Sequence, residues 1–173
     1  MNRFIQETYQ FNEYGGTPVD DSYDNLMQAL SLIEEELSEL KGHLTEYQLA
    51  SKMDSGKRKN ELKALMLDDA TDLKVVTNGI LYRMGLNRHV VECAEYVVSG
   101  CNLSKFPESL EEAVESVVNY EDDPRYENVD YKQIDDDRFV VYGNPKGTDH
   151  YKILKSVSWT DPQKKLNDLM KID

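Results

Sequence analysis

Acidic residues recur at helical spacing in the segment Glu34-Glu35-Glu36-Leu37-Ser38-Glu39. Glu36 and Glu39 stand three residues apart, so their carboxylates emerge on one side of a helix about one turn from each other. They flank an apolar stripe and share their own strip of the helix with Leu32 and His43. Such a cluster can bind a divalent cation or can be a solvated helix face, so by itself it is weak evidence for a metal site.

A second segment places acids where a helix should be apolar. Asp69 and Asp72 occupy the two positions that continue a stripe formed by Leu62, Leu65, Val76 and Ile80. We therefore expect both carboxylates to face the core, where burying an isolated carboxylate costs on the order of several kcal/mol. Pairing with a Lys or Arg from elsewhere would compensate this cost. A hard divalent cation would also do so, because Mg²⁺ prefers oxygen ligands and leaves positions for waters and substrate phosphates.

The histidines and cysteines do not suggest a second kind of metal site. The histidines are scattered and the cysteines lack ligand spacing, so we expect no zinc site. Cys93 and Cys101, eight residues apart on a predicted helix, are also too far separated to form a disulfide. A reducing cytoplasm is the expected location.

Hydrophobic periodicity predicts the helices that position these groups. A stripe of leucines and one isoleucine with spacings of three and four predicts a long helix over 24–47, and a second long helix is expected over 60–84. We expect a polar loop over 50–59 between them, a third helix over 88–101, and shorter helices near the N-terminus, over 108–120 and after Pro162.

Two short apolar runs, 138–142 and 150–154, flank a Gly/Asn/Pro-rich turn over 143–147 and predict a β-hairpin. The predicted fold class is mainly α, a helical bundle with a small C-terminal β-hairpin. We expect a single domain over 1–173, with a catalytic helical core over 4–106, an acidic insertion over 107–137, and the hairpin with a terminal helix over 138–173.

Charge limits the classes of partner. The chain has 173 residues with 33 acidic against 20 basic side chains, which gives a formal net charge of -13. Nucleic-acid polymers and anionic membranes would be repelled as general partners. No run of 18 apolar residues exists, and the first 16 residues lack the apolar region of a signal peptide.

The acidic motifs resemble those of a known family. Glu35-Glu36-x-x-Glu39 followed on a second long helix by Asp69-x-x-Asp72 is similar to the Glu-Glu-x-x-Glu and Glu-x-x-Asp pattern of the MazG-like all-α nucleoside triphosphate pyrophosphohydrolases. Asn102-Leu103-Ser104-Lys105 resembles the Asn-x-Ser-Lys signature of their phosphoribosyl-ATP pyrophosphohydrolase-like branch, which is common in phages and bacteria. The resemblance covers about residues 4–106 and 138–170. Asp69 stands where the family pattern more commonly has Glu. The acidic insertion over 107–137 has no counterpart in the family pattern.

The resemblance implies hydrolysis of a (d)NTP to its monophosphate and pyrophosphate. It implies Mg²⁺, with Mn²⁺ as a substitute, bound by Glu36, Glu39, Asp69 and Asp72, while Glu35 or Glu36 assists the attacking water. It assigns nucleotide contacts to residues that could equally be structural or solvated: Asn78, Asn102 and Lys105. It further implies a homodimer or homotetramer and, for a phage-encoded protein, the host cytoplasm.

The sequence is also compatible with two other functions. A non-catalytic module could bind or sequester a nucleotide through the same acids, and it would show binding without turnover. An acidic interaction protein could use the charged insertion against a basic partner, and it would lose function when residues 108–136 are deleted. The interaction-protein alternative does not explain why Asp69 and Asp72 are expected to face the core.

Overall fold

The structure, a computed structural model, describes residues 2–171, and in this range it contains six helices and three strands. The fold is mainly α with a small antiparallel sheet, as predicted. Met1 and the last two residues of the expected segment 138–173 lie outside the described range. The chain divides into two compact units, Met1–Glu92 and Cys93–Asp173.

The first unit is built from three helices, α1 (Arg3–Tyr14), α2 (Tyr23–Lys52) and α3 (Gly56–Arg83). The loop expected over 50–59 is only three residues long, because α2 continues beyond the buried Ala50. Asp54 in this loop has a φ of 51°, a left-handed conformation that Asp tolerates better than most residues. The tight connection makes α2 and α3 an antiparallel hairpin.

A small apolar core closes the first unit near the ends of α1 and α3. Ile5 and Tyr9 of α1 are buried against Val91, and Leu81, Tyr82 and Leu86 pack around them. Gly85, with a φ of 72°, follows α3 and provides its C-terminal turn, as the sequence indicates. The next helix, α4 (Arg88–Leu103), runs across the division between the two units.

The leucine stripe of α2 is buried only in part, because Leu26, Ile33 and Leu40 are half-buried and the other leucines are exposed. Leu30, Leu37 and Leu44 are 38%, 38% and 57% exposed. Beside the half-buried members of the stripe, a seven-residue repeat of buried and half-buried positions contains Ala29, Glu36, His43 and Ala50. Small and polar side chains therefore share the inner face of α2 with apolar ones, and the rest of the leucine surface stays open.

The second unit contains α5 (Leu110–Val118), β1 (Tyr126–Asp135), β2 (Arg138–Pro145), β3 (Lys152–Ile153) and α6 (Gln163–Leu169). The strands form one antiparallel sheet in the order β1-β2-β3. The segment 107–137 thus folds into a helix and a strand, and the sequence did not predict β1. The predicted hairpin exists only as a short pairing of β2 with β3, whereas the long pairing joins β1 and β2.

The core of the second unit lies under β2. Phe139, Val140 and Val141 are buried there, with Ala113 of α5 at 0% exposure. Gly143 belongs to the pairing with β3 and not to the predicted turn.

No helix in the described part of the chain is both long and apolar enough to cross a membrane. Cys93 and Cys101 do not form a disulfide with each other, as expected from their spacing.

Candidate functional site

The contact between α2 and α3 brings the two acidic segments together. His43 of α2 lies opposite Asp69 of α3, and nearer the other end of the hairpin Gln28 lies opposite Arg83. This antiparallel alignment places Glu36 of α2 within electrostatic reach of Asp69 and Asp72 on α3 and of Glu39 on its own helix. Acids of both segments therefore act on one carboxylate, that of Glu36.

Asp69 is the buried member of the group. It is 5% exposed, and its Oδ2 lies 2.7 Å from Nδ1 of His43. An ionised carboxylate can only accept hydrogen bonds, so it pairs here with a His43 ring that carries its proton on Nδ1. The expectation that Asp69 faces the core is confirmed, but its partner within the structure is a histidine. The sequence placed His43 on the same strip as Glu36 and Glu39 without assigning it a role.

Asp72 does not share this burial. It is exposed, so the expectation that both α3 acids face the core is wrong for Asp72. Three residues correspond to about 300° around a helix, so Asp72 is rotated by about 60° from Asp69 toward the edge of the contact between α2 and α3. Glu35 and Glu39 are also exposed, whereas Glu36 is half-buried.

The carboxylates affect one another electrostatically. The pKa of Glu36 is raised, first by partial burial and then by the negative charges of Asp72, Glu39, Glu35 and Asp69. Each neighbour disfavours the ionised form of Glu36 because like charges repel. A cation at this position would relieve the repulsion.

The donor chemistry fits Mg²⁺, but the side chains do not form a closed cage. Within residues 2–171, no group of three or more His, Cys, Asp or Glu side chains is placed to hold an ion. Mg²⁺ is commonly held by one or two carboxylates together with waters and substrate phosphates. The arrangement therefore suits an ion shared between protein and ligand better than a site made of protein alone.

The predicted nucleotide-binding residues lie in both units. Asn78 is on α3 and is 8% exposed, and its side chain forms no hydrogen bond within the described residues. Asn102 and Lys105 are together in the second unit, where Lys105 Nζ donates to Asn102 Oδ1 over 2.8 Å. Asn102 is exposed and Lys105 is half-buried.

Two concavities with defined linings do not include these acids. One, of about 620 Å³, is lined on α3 by residues that include Leu65, Leu67 and Asp68. The other, of about 530 Å³, is lined on α2 by residues that include Leu44 and Tyr47. Neither is lined by a predicted site residue.

The arrangement as a whole is a set of exposed and half-buried carboxylates around one buried, histidine-bound aspartate. Comparisons with protein-family models, with curated proteins and with solved structures gave no match to this chain.

Proposed function

We propose that this protein is a Mg²⁺-dependent nucleoside triphosphate pyrophosphohydrolase that converts a (d)NTP to its monophosphate and pyrophosphate. The main support is the group of mutually repelling carboxylates on α2 and α3, whose charges add to partial burial in raising the pKa of Glu36 and favour a cation among them. The resemblance of the two acidic motifs to MazG-like enzymes supports the reaction type.

Glu36, Glu39, Asp69 and Asp72 would hold the ion. When bound, Mg²⁺ would neutralise phosphate charge and lower the pKa of the attacking water. His43 acts as a positioning residue, because its hydrogen bond fixes the carboxylate of Asp69.

The proton of the attacking water needs an acceptor. Glu35 would suit this role, because it is exposed next to Glu36 and is not among the four carboxylates that would hold the ion. Glu36 would take the proton only with a carboxylate oxygen that does not bind the ion, since a bound cation lowers the pKa of its ligands. In the reaction, the water oxygen bonds to one of the phosphorus atoms flanking the α–β bridge. The bond from that phosphorus to the bridging oxygen breaks, and the proton passes to the carboxylate.

The nucleotide-binding roles of Asn78, Asn102 and Lys105 also belong to the proposal. A lysine ammonium pairs with a phosphate as a point charge, and an asparagine amide can both donate to and accept from a nucleotide. The buried Asn78 amide, with no hydrogen bond to the described residues, has capacity to bind a ligand group.

The exposed leucine surface of α2 supports a homo-oligomer, a dimer or a dimer of dimers. Leu30, Leu37 and Leu44 lie on one face, and Leu67 of α3 is 70% exposed. A second copy of the same helix pair would remove this apolar surface from water and complete a bundle. We place the protein in the cytoplasm, or in that of a host cell, and two cysteines that form no disulfide with each other agree with a reducing compartment.

Pyrophosphate release from a panel of dNTPs and NTPs, with and without Mg²⁺, tests the proposal. We expect Mg²⁺-dependent release that falls by about 100-fold or more in Glu39→Gln and in Asp72→Asn, by analogy with loss of a group acting on transition-state charge. Asp68→Asn removes the same charge from an exposed position one residue before Asp69 and is the matched control. Undiminished release in both test variants would refute the assignment of these carboxylates.

A non-catalytic nucleotide-binding module is the second candidate. It would use the carboxylates around Glu36 and the buried Asn78 amide to bind a nucleotide without activating a water. Nucleotide binding by calorimetry, with no pyrophosphate released under Mg²⁺ or Mn²⁺, would support this candidate over the enzyme.

A further inference from the structure

Arg83, the last residue of α3, is an unusual buried cation. It is 7% exposed, and its Nη1 donates to Asn25 Oδ1 and, over 3.1 Å, to Gln28 Oε1. Both acceptors belong to the N-terminal part of α2. The guanidinium is therefore held between the two long helices by neutral amides.

No negative charge from the described chain balances this cation. Arg83 forms no ion pair with a carboxylate of residues 2–171. Asp20, on the segment that leads into α2, is engaged by the backbone N–H and hydroxyl of Ser22 at 2.9 and 2.7 Å. The C-terminal carbonyls of α3 favour a cation, but a helix end carries only about half an elementary charge. A buried arginine is rarely left without a full counter-charge.

The guanidinium also keeps hydrogen-bonding capacity. Of its five N–H groups, those on Nη1 point to the two amides, while Nε and Nη2 have no acceptor within the described residues. Among the described residues, Trp159 Nε1 is the only side-chain nitrogen or oxygen that is sealed from solvent without a partner. The free nitrogens of Arg83 therefore remain within reach of solvent, and the exposed Gln28 lies beside them.

We propose that Arg83 is a binding site for a phosphate-type oxyanion, either free phosphate or the phosphate of a nucleotide. A guanidinium presents parallel N–H groups that match two oxygens of a phosphate, and the anion supplies the missing charge. This oxyanion site at Arg83 is distinct from the cluster of carboxylates formed by Glu36, Glu39, Asp69 and Asp72. Asp72 and Arg83 are eleven residues apart on one helix, and at 1.5 Å per residue this separation is about 16 Å.

The substitution Gln28→Glu tests the proposal directly. It replaces an amide oxygen that accepts from Arg83 with a carboxylate oxygen of nearly the same shape, and so provides an internal anion. Gln48→Glu adds the same charge at another exposed position of α2 and is the matched control. Phosphate binding to the full chain is measured by calorimetry in EDTA at constant ionic strength, and thermal unfolding is followed in phosphate-free buffer.

We expect inorganic phosphate to bind the unmodified chain and to raise its unfolding midpoint through binding to the native state. Gln28→Glu should weaken this binding at least tenfold and should raise the midpoint without phosphate above that of Gln48→Glu. AMP is the second probe. Tighter binding of AMP than of phosphate identifies a nucleotide phosphate as the ligand, and equal binding identifies free phosphate.

Phosphate binding that is absent, or equal in Gln28→Glu and Gln48→Glu, would overturn the proposal. Arg83→Lys is the second variant, and it retains the charge while losing the fork of parallel donors. It should bind phosphate at least about threefold more weakly than the unmodified chain, with cooperative unfolding as the check of its fold. Because these experiments contain neither Mg²⁺ nor turnover, their outcome is independent of the proposed pyrophosphohydrolase.

Discussion

The substitution Asp69→Asn tests whether the buried aspartate is held by His43. The variant keeps the shape of the side chain and can still accept a hydrogen bond from Nδ1, but it loses the negative charge. A hydrogen bond to a charged group contributes about 1.5–3 kcal/mol to stability, and a neutral one about 0.5–1.5 kcal/mol. The side chains of His43 and Asp69 are 27% and 6% exposed, so solvent screens the pair only partly.

The expected loss is therefore about 1–1.5 kcal/mol in the free energy of unfolding without Mg²⁺. For a chain of this size, such a loss lowers the unfolding midpoint by about 2–6 °C. One opposing effect is small: Asp69 is the weakest of the four carboxylates that raise the pKa of Glu36, so removing its charge relieves little repulsion.

The assay is denaturant unfolding of four chains: the unmodified protein, Asp69→Asn, His43→Gln and the double variant. This double-mutant cycle should give a coupling energy of about 1 kcal/mol between His43 and Asp69, because the two residues share one hydrogen bond. The exposed Asp68→Asn should lie within about 0.5 kcal/mol of the unmodified chain. An Asp69→Asn chain as stable as the original, or a coupling energy near zero, would refute the pairing of Asp69 with His43.

Three further predictions concern stability and assembly. Glu36→Gln should raise the free energy of unfolding at neutral pH, because the raised pKa of Glu36 in the native state means that its ionisation destabilises the fold. This gain in stability should vanish below the ordinary glutamate pKa, and unfolding at several pH values checks it. Gly143→Ala should cost about 1–2 kcal/mol in chemical unfolding, because its Cβ would lie 2.9 Å from Val129 Cγ2. Leu37→Lys with Leu44→Lys should weaken self-association at least 100-fold by light scattering, because two exposed leucines lose their burial; an unchanged oligomer would exclude this face.

The helices could be predicted from the sequence because their signals are local. The three- and four-residue spacings of apolar side chains, and Gly85 after α3, correctly indicated the long helices. Their ends were less certain, since Ala50 to Lys52 contains no residue that stops a helix and α2 continues through it.

β1 was missed because its apolar residues are few and widely mixed with acids. Tyr126, Val129, Tyr131 and Ile134 are residues that favour strands. The charges between them are typical of an edge strand, where they discourage pairing with other chains, and they gave the segment the composition of a loop.

The candidate site was predictable in part. Burial of Asp69 followed from its place between apolar neighbours, but the periodicity could not show which of two adjacent strips of α2 faces α3. Leu37 and Leu44 made one strip look internal, whereas Glu36 and His43 occupy the contact. That choice depends on tertiary packing and not on local propensity.

The most direct test of the proposed function is the identity of the phosphorus products. Phosphorus NMR of the full chain incubated with a (d)NTP and Mg²⁺ distinguishes cleavage at the α–β bridge from cleavage at the β–γ bridge. The proposal predicts pyrophosphate together with the nucleoside monophosphate. Nucleoside diphosphate with orthophosphate, or an unchanged triphosphate across the whole panel of nucleotides, would contradict it.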